Sequence, residues 1–502
     1  MNLAHILQES ADKHPDAPAL VFGHETITYG ELLKRVNRLA NALTGLGIGK
    51  DSKVALLLRN VPEFVISYYA ILSIGGVVVP LCYMCMAEEV ESVVCDAGVD
   101  TLITNFEFDE MVKKLQHSMC AQLSRFIVSE SPELADIQPY ENLVSGASDA
   151  FEMVERDDDD LAVLLYAPTG ARMVRGCMLS HNNLFSNADI IARGANYGPQ
   201  DVSMGVLPFF AAYGQTAAMN ATLRGGGKII LHGSFIPGEV LKSLQHDGVT
   251  VFCGVPSMYV YMLNHPLIYQ YDLSSVRLWV SGGAPLSKEI VERWNNELGA
   301  RLYNGYGLTE TSPVVAIQLA RGPYKMGSIG FPVPGVHVKI VDEKMEEVPV
   351  GEVGELMVQG PNVMLGYFKR PEEQEQVLEG GWLRTGDMGY KDEDGALFLV
   401  GRRKDLIIRG GFNIYPREIE EVLITHPLIT EAAVIGVPNK YLGEEVQAYI
   451  KLKPGATITE EQILEYCEDK LPYYKTPKFI KFVRSFKRDP SGQILKHLIE
   501  ET

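Results

Sequence analysis

Residues 381–423 read GWLRTGDMGYKDEDGALFLVGRRKDLIIRGGFNIYPREIEEVL, and the texture of the chain changes inside this stretch. Its first part continues a run of short alternating segments broken by Gly and Pro that begins near residue 327, such as HVKIVDE and GELMVQG. Period-2 alternation between turn residues reads as a small β-rich unit. After Asp405 a helix is expected over residues 414–425, entered through Pro416, followed by strands at residues 431–436 and 446–452. A second helix, residues 459–471, opens with a capping box at Thr459 and Gln462. The reading divides the chain into a large unit, residues 1–404, and a small α+β lobe, residues 405–502.

Upstream, β-branched runs alternate with amphipathic stretches. Residues 28–46, TYGELLKRVNRLANALTGL, place Leu32, Leu33, Val36, Leu39 and Leu43 on one helical face. A strand at residues 54–58, a helix at 62–74 and a strand at 77–80 follow. Later strands are expected at residues 101–104, 161–166, 228–231 and 249–253. Apolar strands alternating with helices imply mostly parallel sheets covered on both faces. The fold class is therefore α/β with a smaller β-rich unit and a small α+β C-terminal lobe.

At 502 residues the chain is long enough for several domains and a sizeable core. Apolar residues make up 46% and charged residues 22%, which excludes disordered and collagen-like classes. A net charge of −19 argues against a nucleic-acid or anionic-membrane partner. No apolar run reaches membrane-span length, and Asp12, Lys13 and His14 interrupt the start where a signal peptide would be apolar. A cytoplasmic protein is the expectation. Seven cysteines do not describe a disulfide framework. Cys82 and Cys85 form a C-x-x-C in PLCYMCMAEE, read from its apolar surroundings as buried thiols rather than a redox pair. The acidic run at residues 157–160 reads as a solvated turn rather than a metal site.

Three segments are dense in Gly and polar groups. Ser281-Gly282-Gly283-Ala284-Pro285 follows the apolar strand LWV, and bare backbone at a strand's C-terminal end lets a ligand lie close. In Asn304-Gly305-Tyr306-Gly307-Leu308-Thr309-Glu310 a flat ring between glycines suits a nucleobase, and Thr309 and Glu310 suit a phosphate and Mg²⁺. A tight turn with a buried Tyr is the alternative reading. Thr385-Gly386-Asp387 carries a loop carboxylate suited to ribose hydroxyls, with Arg402 as an anchor. The charged stretch from Gly401 to Asp405 lies at the change of texture and reads as a hinge or a solvated linker.

In this order and spacing the segments resemble the adenylate-forming superfamily of acyl-CoA synthetases, nonribosomal-peptide adenylation domains and luciferases. Residues 381–423 look most similar to the medium- and long-chain fatty acyl-CoA ligases. The resemblance runs from TYGELLKRVNRLANALTGLGI to PSGQILKHLIE. It implies a large N-terminal lobe of two αβ-sheet subdomains plus a small β-barrel, and a small mobile α+β C-terminal lobe. It also implies a ligase in which a carboxylic acid attacks the α-phosphate of Mg-ATP, giving acyl-adenylate and pyrophosphate. The C-terminal lobe then rotates, and the coenzyme A thiol displaces AMP. On this resemblance Gly282, Gly283, Ala284, Pro285, Tyr306 and Gly307 hold adenine, and Asp387 and Arg402 hold the ribose. Thr309 touches the α-phosphate, Glu310 holds Mg²⁺, Asp405 is the hinge, and Gly410 and Gly411 line the pantetheine tunnel.

Three elements depart from the family pattern. The phosphate loop, which in the family resembles YTSGTTGxPKGVMLSH, reads here YAPTGARMVRGCMLSH from Tyr166 to His181. Pro168 has no N–H, and Ala171, Arg172 and Met173 crowd a backbone that glycines would leave open. Thr169, Gly170 and Arg175 remain as phosphate contacts. Ala211 stands where the L-P-x-F-H segment has its His, and Gln493 stands in place of the P-x-G-K lysine. An amide cannot neutralise developing charge, and one such contact is worth about 10²–10³-fold in rate. Phe209, Phe210, Ala211, Ala212 and Tyr213 suggest an apolar substrate wall for a hydrophobic carboxylic acid, with a buried helix face as the alternative reading. The expectation is a ligase with impaired adenylation; the alternatives are a non-catalytic AMP or acyl-adenylate binder, or acyl transfer to a carrier protein. A homo-oligomer is compatible with the sequence.

Overall fold

The computed structural model describes every residue except 119, 131–135, 167–174, 319–322, 410–411, 440–441, 490–491 and 500–502. Four sheets organise it. The first has eight strands, in the order Gly366–Tyr367, Gly176–Ser180, Leu161–Tyr166, Val77–Pro80, Lys53–Leu57, Thr101–Asn105, Arg125–Ser129 and Gln138–Pro139. The pairs from Leu161–Tyr166 outward to Gln138–Pro139 are parallel, and the Gly176–Ser180 strand returns antiparallel. Strands Val77–Pro80 and Thr101–Asn105 are wholly buried, as expected of parallel strands covered on both faces.

The second sheet has nine strands, with Leu302–Gly307, Leu278–Ser281, Val251–Gly254, Val202–Gly205 and Lys228–Leu231 forming its parallel centre. The C-terminal ends of Val251–Gly254, Leu278–Ser281 and Leu302–Gly307 lie side by side, in register Gly254↔Ser281↔Asn304. That row carries two of the three segments singled out in the sequence. A third, antiparallel sheet contains His337–Val341, Gly354–Gln359, Trp382–Lys391, Leu378–Glu379 and Leu397–Arg402. The fourth begins at Ile407–Arg409 and includes Ile429–Asn439, Gly443–Leu452 and Phe479–Phe482.

The helices form where the apolar period placed them. Tyr29–Gly45 starts at Thr28, whose hydroxyl accepts from the Glu31 N–H, and buries Leu32, Val36, Leu39 and Leu43. Pro416–Ile424 has its proline in the first turn, and Glu460–Glu468 carries the capping box at Thr459 and Gln462. Residues 214–220 form a π-helix, Gly214–Asn220, with every residue buried. The acidic run is a turn in which the Asp160 N–H donates to the Asp157 carbonyl, and buried Arg156 pairs with Asp160 at 3.0 Å. Among the described residues no helix is long and apolar enough to cross a membrane, and no group of three or more His, Cys, Asp or Glu is placed to hold a metal. One expectation fails at the cysteines. Cys120, Cys177, Cys253 and Cys467 are buried, but Cys82 and Cys85 are only half-buried and Cys95 is exposed. The turn that follows Val77–Pro80 leaves the packed layer before Cys82, so its apolar composition does not bury it.

Candidate functional site

Tyr306 lies at the end of the strand Leu302–Gly307, not in a loop, and is 8% exposed. Its hydroxyl donates to Asp387 Oδ2 at 2.6 Å. Asp387 is likewise on a strand, Trp382–Lys391, and the antiparallel register sets it opposite Arg402 of Leu397–Arg402. Arg402 Nε reaches Asp387 Oδ1 at 3.3 Å. The loop expected around Asp387 is instead a local irregularity: Gly386 has φ 72° in the left-handed region, and the Thr385 hydroxyl accepts from the Asp387 N–H at 3.0 Å.

This places a carboxylate that is 5% exposed between a phenol and a guanidinium. Burial pushes the Asp387 carboxyl above the ordinary aspartate range, while Arg402 and the Tyr306 hydroxyl oppose that shift. The same carboxylate and burial raise Tyr306 well above the usual phenol range, so Tyr306 remains a donor at neutral pH. Behind them Glu355, 5% exposed, accepts from Arg384 at 2.7 Å, Arg403 at 2.9 Å and the Gly386 N–H at 3.3 Å. It braces both sides of the Asp387–Arg402 pair. Sequence reasoning missed Glu355, because a strand residue of alternating GELMVQ gives no sign of its cross-strand partners.

Ser281, Gly282 and Gly283 continue directly from the neighbouring strand end. A Cβ on Gly282 would lie 3.2 Å from the Tyr213 ring and 3.3 Å from the Gly305 carbonyl, so the glycine lets Tyr213 lie flat against the backbone. Gly283 has φ 76° and is exposed, with Ala284 half-buried and Pro285 exposed beyond it. Phe210 is 6% exposed, Ala211 and Tyr213 are half-buried, and the Tyr213 hydroxyl donates to the Val280 carbonyl at 3.3 Å. Of these three apolar-wall residues, Tyr213 adjoins the Gly282 backbone, and Phe210 packs edge-on against Tyr83.

Thr309 and Glu310 sit in the short 3₁₀ turn Thr309–Thr311, where Tyr367 donates to Glu310 Oε1 at 2.8 Å. Arg175 stacks 5.9 Å from the centre of the Tyr367 ring and pairs with Glu373 at 2.5 Å. Tyr367 and Glu373 were not singled out by sequence, since they lie on a two-residue strand and a short helix without readable period. Arg175 is therefore held beside Tyr367, whose hydroxyl reaches Glu310. Of the other phosphate-loop residues, Thr169, Gly170, Ala171, Arg172 and Pro168 lie outside the described residues, as do Gly410 and Gly411.

Gln493 and Asp405 belong to the C-terminal part. The Gln493 N–H donates to Asp489 Oδ1 at 2.9 Å, in a turn where Gly492 has φ 86°. A Cβ on Gly492 would lie 3.4 Å from Ser257 Oγ, at the start of the helix Pro256–Leu263. The Gln493 turn thus rests against the same helix that flanks the row of strand ends. Asp405, half-buried, ends the short turn Arg403–Asp405 between the third and fourth sheets.

Strand ends that offer bare backbone, a buried carboxylate held between a phenol and a guanidinium, and a smaller C-terminal lobe resting against the helix Pro256–Leu263 make up a two-lobed α/β protein. Residues 7–368 match the model of the AMP-binding enzyme family and residues 418–493 that of the AMP-binding enzyme C-terminal domain, so the chain belongs to the AMP-binding, adenylate-forming enzymes, near the fatty acyl-CoA ligases. It is 36% identical to a long-chain-fatty-acid–CoA ligase of Bacillus subtilis, over 99% of this chain and 94% of that one. It is 35% identical to a feruloyl-CoA synthase of an Amycolatopsis species, over 96% of this chain and 95% of that one. The fold superposes on ATP-bound MatB from Rhodopseudomonas palustris with a TM-score of 0.92 and 32% identity, covering 100% of this chain and 99% of the other.

Proposed function

We propose that the chain converts a hydrophobic carboxylic acid, through its acyl-adenylate, into a coenzyme A thioester, and that the ATP-dependent first half-reaction is weakened. The Tyr306–Asp387–Arg402 constellation is the observation that carries this reading, because it is a ready anchor for the two ribose hydroxyls of AMP. Asp387 accepts from the hydroxyls, Arg402 keeps it ionised, and the Tyr306 ring lies under the base beside Gly282 and Gly283. Thr309 faces the α-phosphate. Glu310, its carboxylate oriented by Tyr367, would hold Mg²⁺, which when bound draws charge from the phosphate oxygens.

The weakened half follows from residue chemistry. Gln493 reaches the helix Pro256–Leu263 through its turn, but an amide brings no positive charge to the α-phosphate. Arg175 is already paired with Glu373, which lowers the charge it lends to a pyrophosphate. The thioester half needs neither group if residues 405–502 rotate about Asp405 and bring Gly410 and Gly411 to the tunnel. We place the boundary of the two units at 404/405 for the same reason. Phe210, Ala211 and Tyr213 form the acyl wall, which fits either an aliphatic tail or an aromatic ring.

The test is mass spectrometry of two reactions. ATP, Mg²⁺ and a panel of acids should yield little acyl-AMP, whereas preformed acyl-AMP with coenzyme A should yield thioester. Fast acyl-AMP production from ATP would overturn the weakened half, and failure to bind any adenosine compound would overturn the rest. Gln493 favours one second reading, a non-catalytic adenylate binder. It would show thermal stabilisation by AMP and an acyl-AMP mimic and form no thioester with either coenzyme A or a carrier-protein phosphopantetheine.

A further inference from the structure

The C-x-x-C motif is the sequence feature that the nucleotide site does not absorb. Its two cysteines bound a turn in which the Cys85 N–H donates to the Cys82 carbonyl at 3.2 Å. A turn closed this way holds its end Cα atoms within about 7 Å, which overlaps the span a disulfide bridges, about 4.4–6.8 Å. Both cysteines are half-buried, and the neighbouring Met84 and Met86 are 49% and 65% exposed, so a small molecule has access to the turn.

We propose that Cys82 and Cys85 form a thiol–disulfide exchange site for low-molecular-weight disulfides, whose closure fixes the turn that holds Tyr83 against Phe210. The two sulfurs have different roles. The neighbouring Cys85 thiol pulls the Cys82 thiol below its ordinary value, while Cys85 moves up. Cys82 is thus the attacking thiolate and Cys85 the resolving thiol. The Cys82 thiolate attacks one sulfur of R–S–S–R and expels RS⁻. Cys85 then gives up its proton, attacks the Cys82 sulfur and expels the second RS⁻. Two protein thiols and one small disulfide become one protein disulfide and two RSH, and the small disulfide takes up the two electrons.

Other thiols do not offer this combination. Burial first, and the neighbouring Cys120 thiol second, push Cys95 up to about 12, and Cys120 is 7% exposed. Tyr83 connects the exchange site to the proposed acyl wall. Its ring meets Phe210 edge-on at 5.3 Å, lies 6.3 Å from Phe108, and carries the Arg59 guanidinium 4.8 Å above it. Arg59 is in turn fixed by Glu107 at 2.5 Å. A disulfide that removes the freedom of residues 82–85 therefore acts on a ring already clamped from the other side. The exchange chemistry stands independently of the proposed function, and only the meaning of the Phe210 contact rests on that reading.

The experiment equilibrates the full chain in glutathione buffers, quenches it in acid, alkylates it and maps each cysteine by mass spectrometry. Cys82 and Cys85 should lose alkylation together in oxidised glutathione, with the loss of two hydrogens. Cys85→Ser should stop at one glutathione on Cys82, and Cys82→Ser should slow modification of Cys85 at neutral pH by at least about tenfold. Hydrogen exchange of residues 207–213 should slow on oxidation by about threefold or more. The proposal is overturned if Cys82 and Cys85 stay alkylatable while Cys95 and Cys120 link, or if the wild-type chain stops at glutathione adducts. Equal reactivity of Cys85 without Cys82 also overturns it, and unchanged exchange at residues 207–213 overturns the link to Phe210.

Discussion

His181 opens the helix His181–Gly194 with no exposed surface, and its Nδ1 accepts from the Leu3 N–H at 2.9 Å. Burial first, and Arg156 second, lower its pKa to about 4. Between that value and the ordinary histidine range the unfolded chain binds a proton that the native chain does not, so stability falls as pH falls through this window. The loss should approach about 2 kcal/mol between pH 7.5 and pH 5, and His181→Gln should remove most of that slope in urea titrations. Equal slopes for the two chains would show that His181 does not sense the change. Asp387 has the opposite sign. Its raised carboxyl contributes stability below the ordinary aspartate range and loses it as pH rises through the raised value, because ionisation leaves a buried charge. Nucleotide binding is what that charge serves. Asp387→Asn should weaken AMP by about 10–100-fold in calorimetry, without lowering the melting temperature of the nucleotide-free chain at pH 7.5.

The hairpin of Leu302–Gly307 and Val314–Ile317 sets Tyr306 in place, and Gly307 is its tightest point. A Cβ there would lie 2.0 Å from the Pro313 carbonyl oxygen, whereas at Gly305 the nearest atom is 3.7 Å away. Gly307→Ala should cost about 2–3 kcal/mol by forcing the strands apart and should also weaken AMP binding, and Gly305→Ala should cost within about 1 kcal/mol. Denaturant midpoints and AMP titration of both variants check this. Elements of this kind also mark the limit of what sequence makes legible. Apolar period placed Tyr29–Gly45, and β-branched runs placed Val77–Pro80, Leu161–Tyr166 and Lys228–Leu231 at their observed bounds. The Gly-rich setting of Asp387 reads as a loop and that of Tyr306 leaves a tight turn open, yet both residues are on strands. Gly307 makes room for the neighbouring strand, and Gly386 supplies a left-handed φ of 72°, without either ending the pleat. The Asp387–Arg402 pair depends on strand register, and Tyr367 reaches Glu310 from 57 residues away; neither relation has a local signature.

Across the whole molecule, the contacts that hold the C-terminal part in its present orientation include two made at glycines. The Gly492 turn rests beside Ser257, and Tyr415 packs where a Cβ on Gly401 would lie 3.3 Å from its ring. Among the described residues the buried apolar clusters of the C-terminal part lie within residues 407–499 and share no member with those of residues 3–399, so little apolar surface separates this orientation from another. Only residues 403–406 connect the third sheet to the fourth, and Arg403 is tied back to Glu355 at 2.9 Å. A rotation of residues 405–502 must therefore be absorbed by dihedral changes at Lys404, Asp405 and Leu406. Asp405→Pro fixes one of those dihedrals near about −65° and leaves the nucleotide anchor untouched. It should leave affinity for an acyl-AMP mimic within about threefold and cut thioester formation from preformed acyl-AMP by about 10²-fold or more. If both half-reactions fall together in rapid-quench assays, Asp405 shapes the site itself; if neither falls, the turn of the lobe happens elsewhere in the chain.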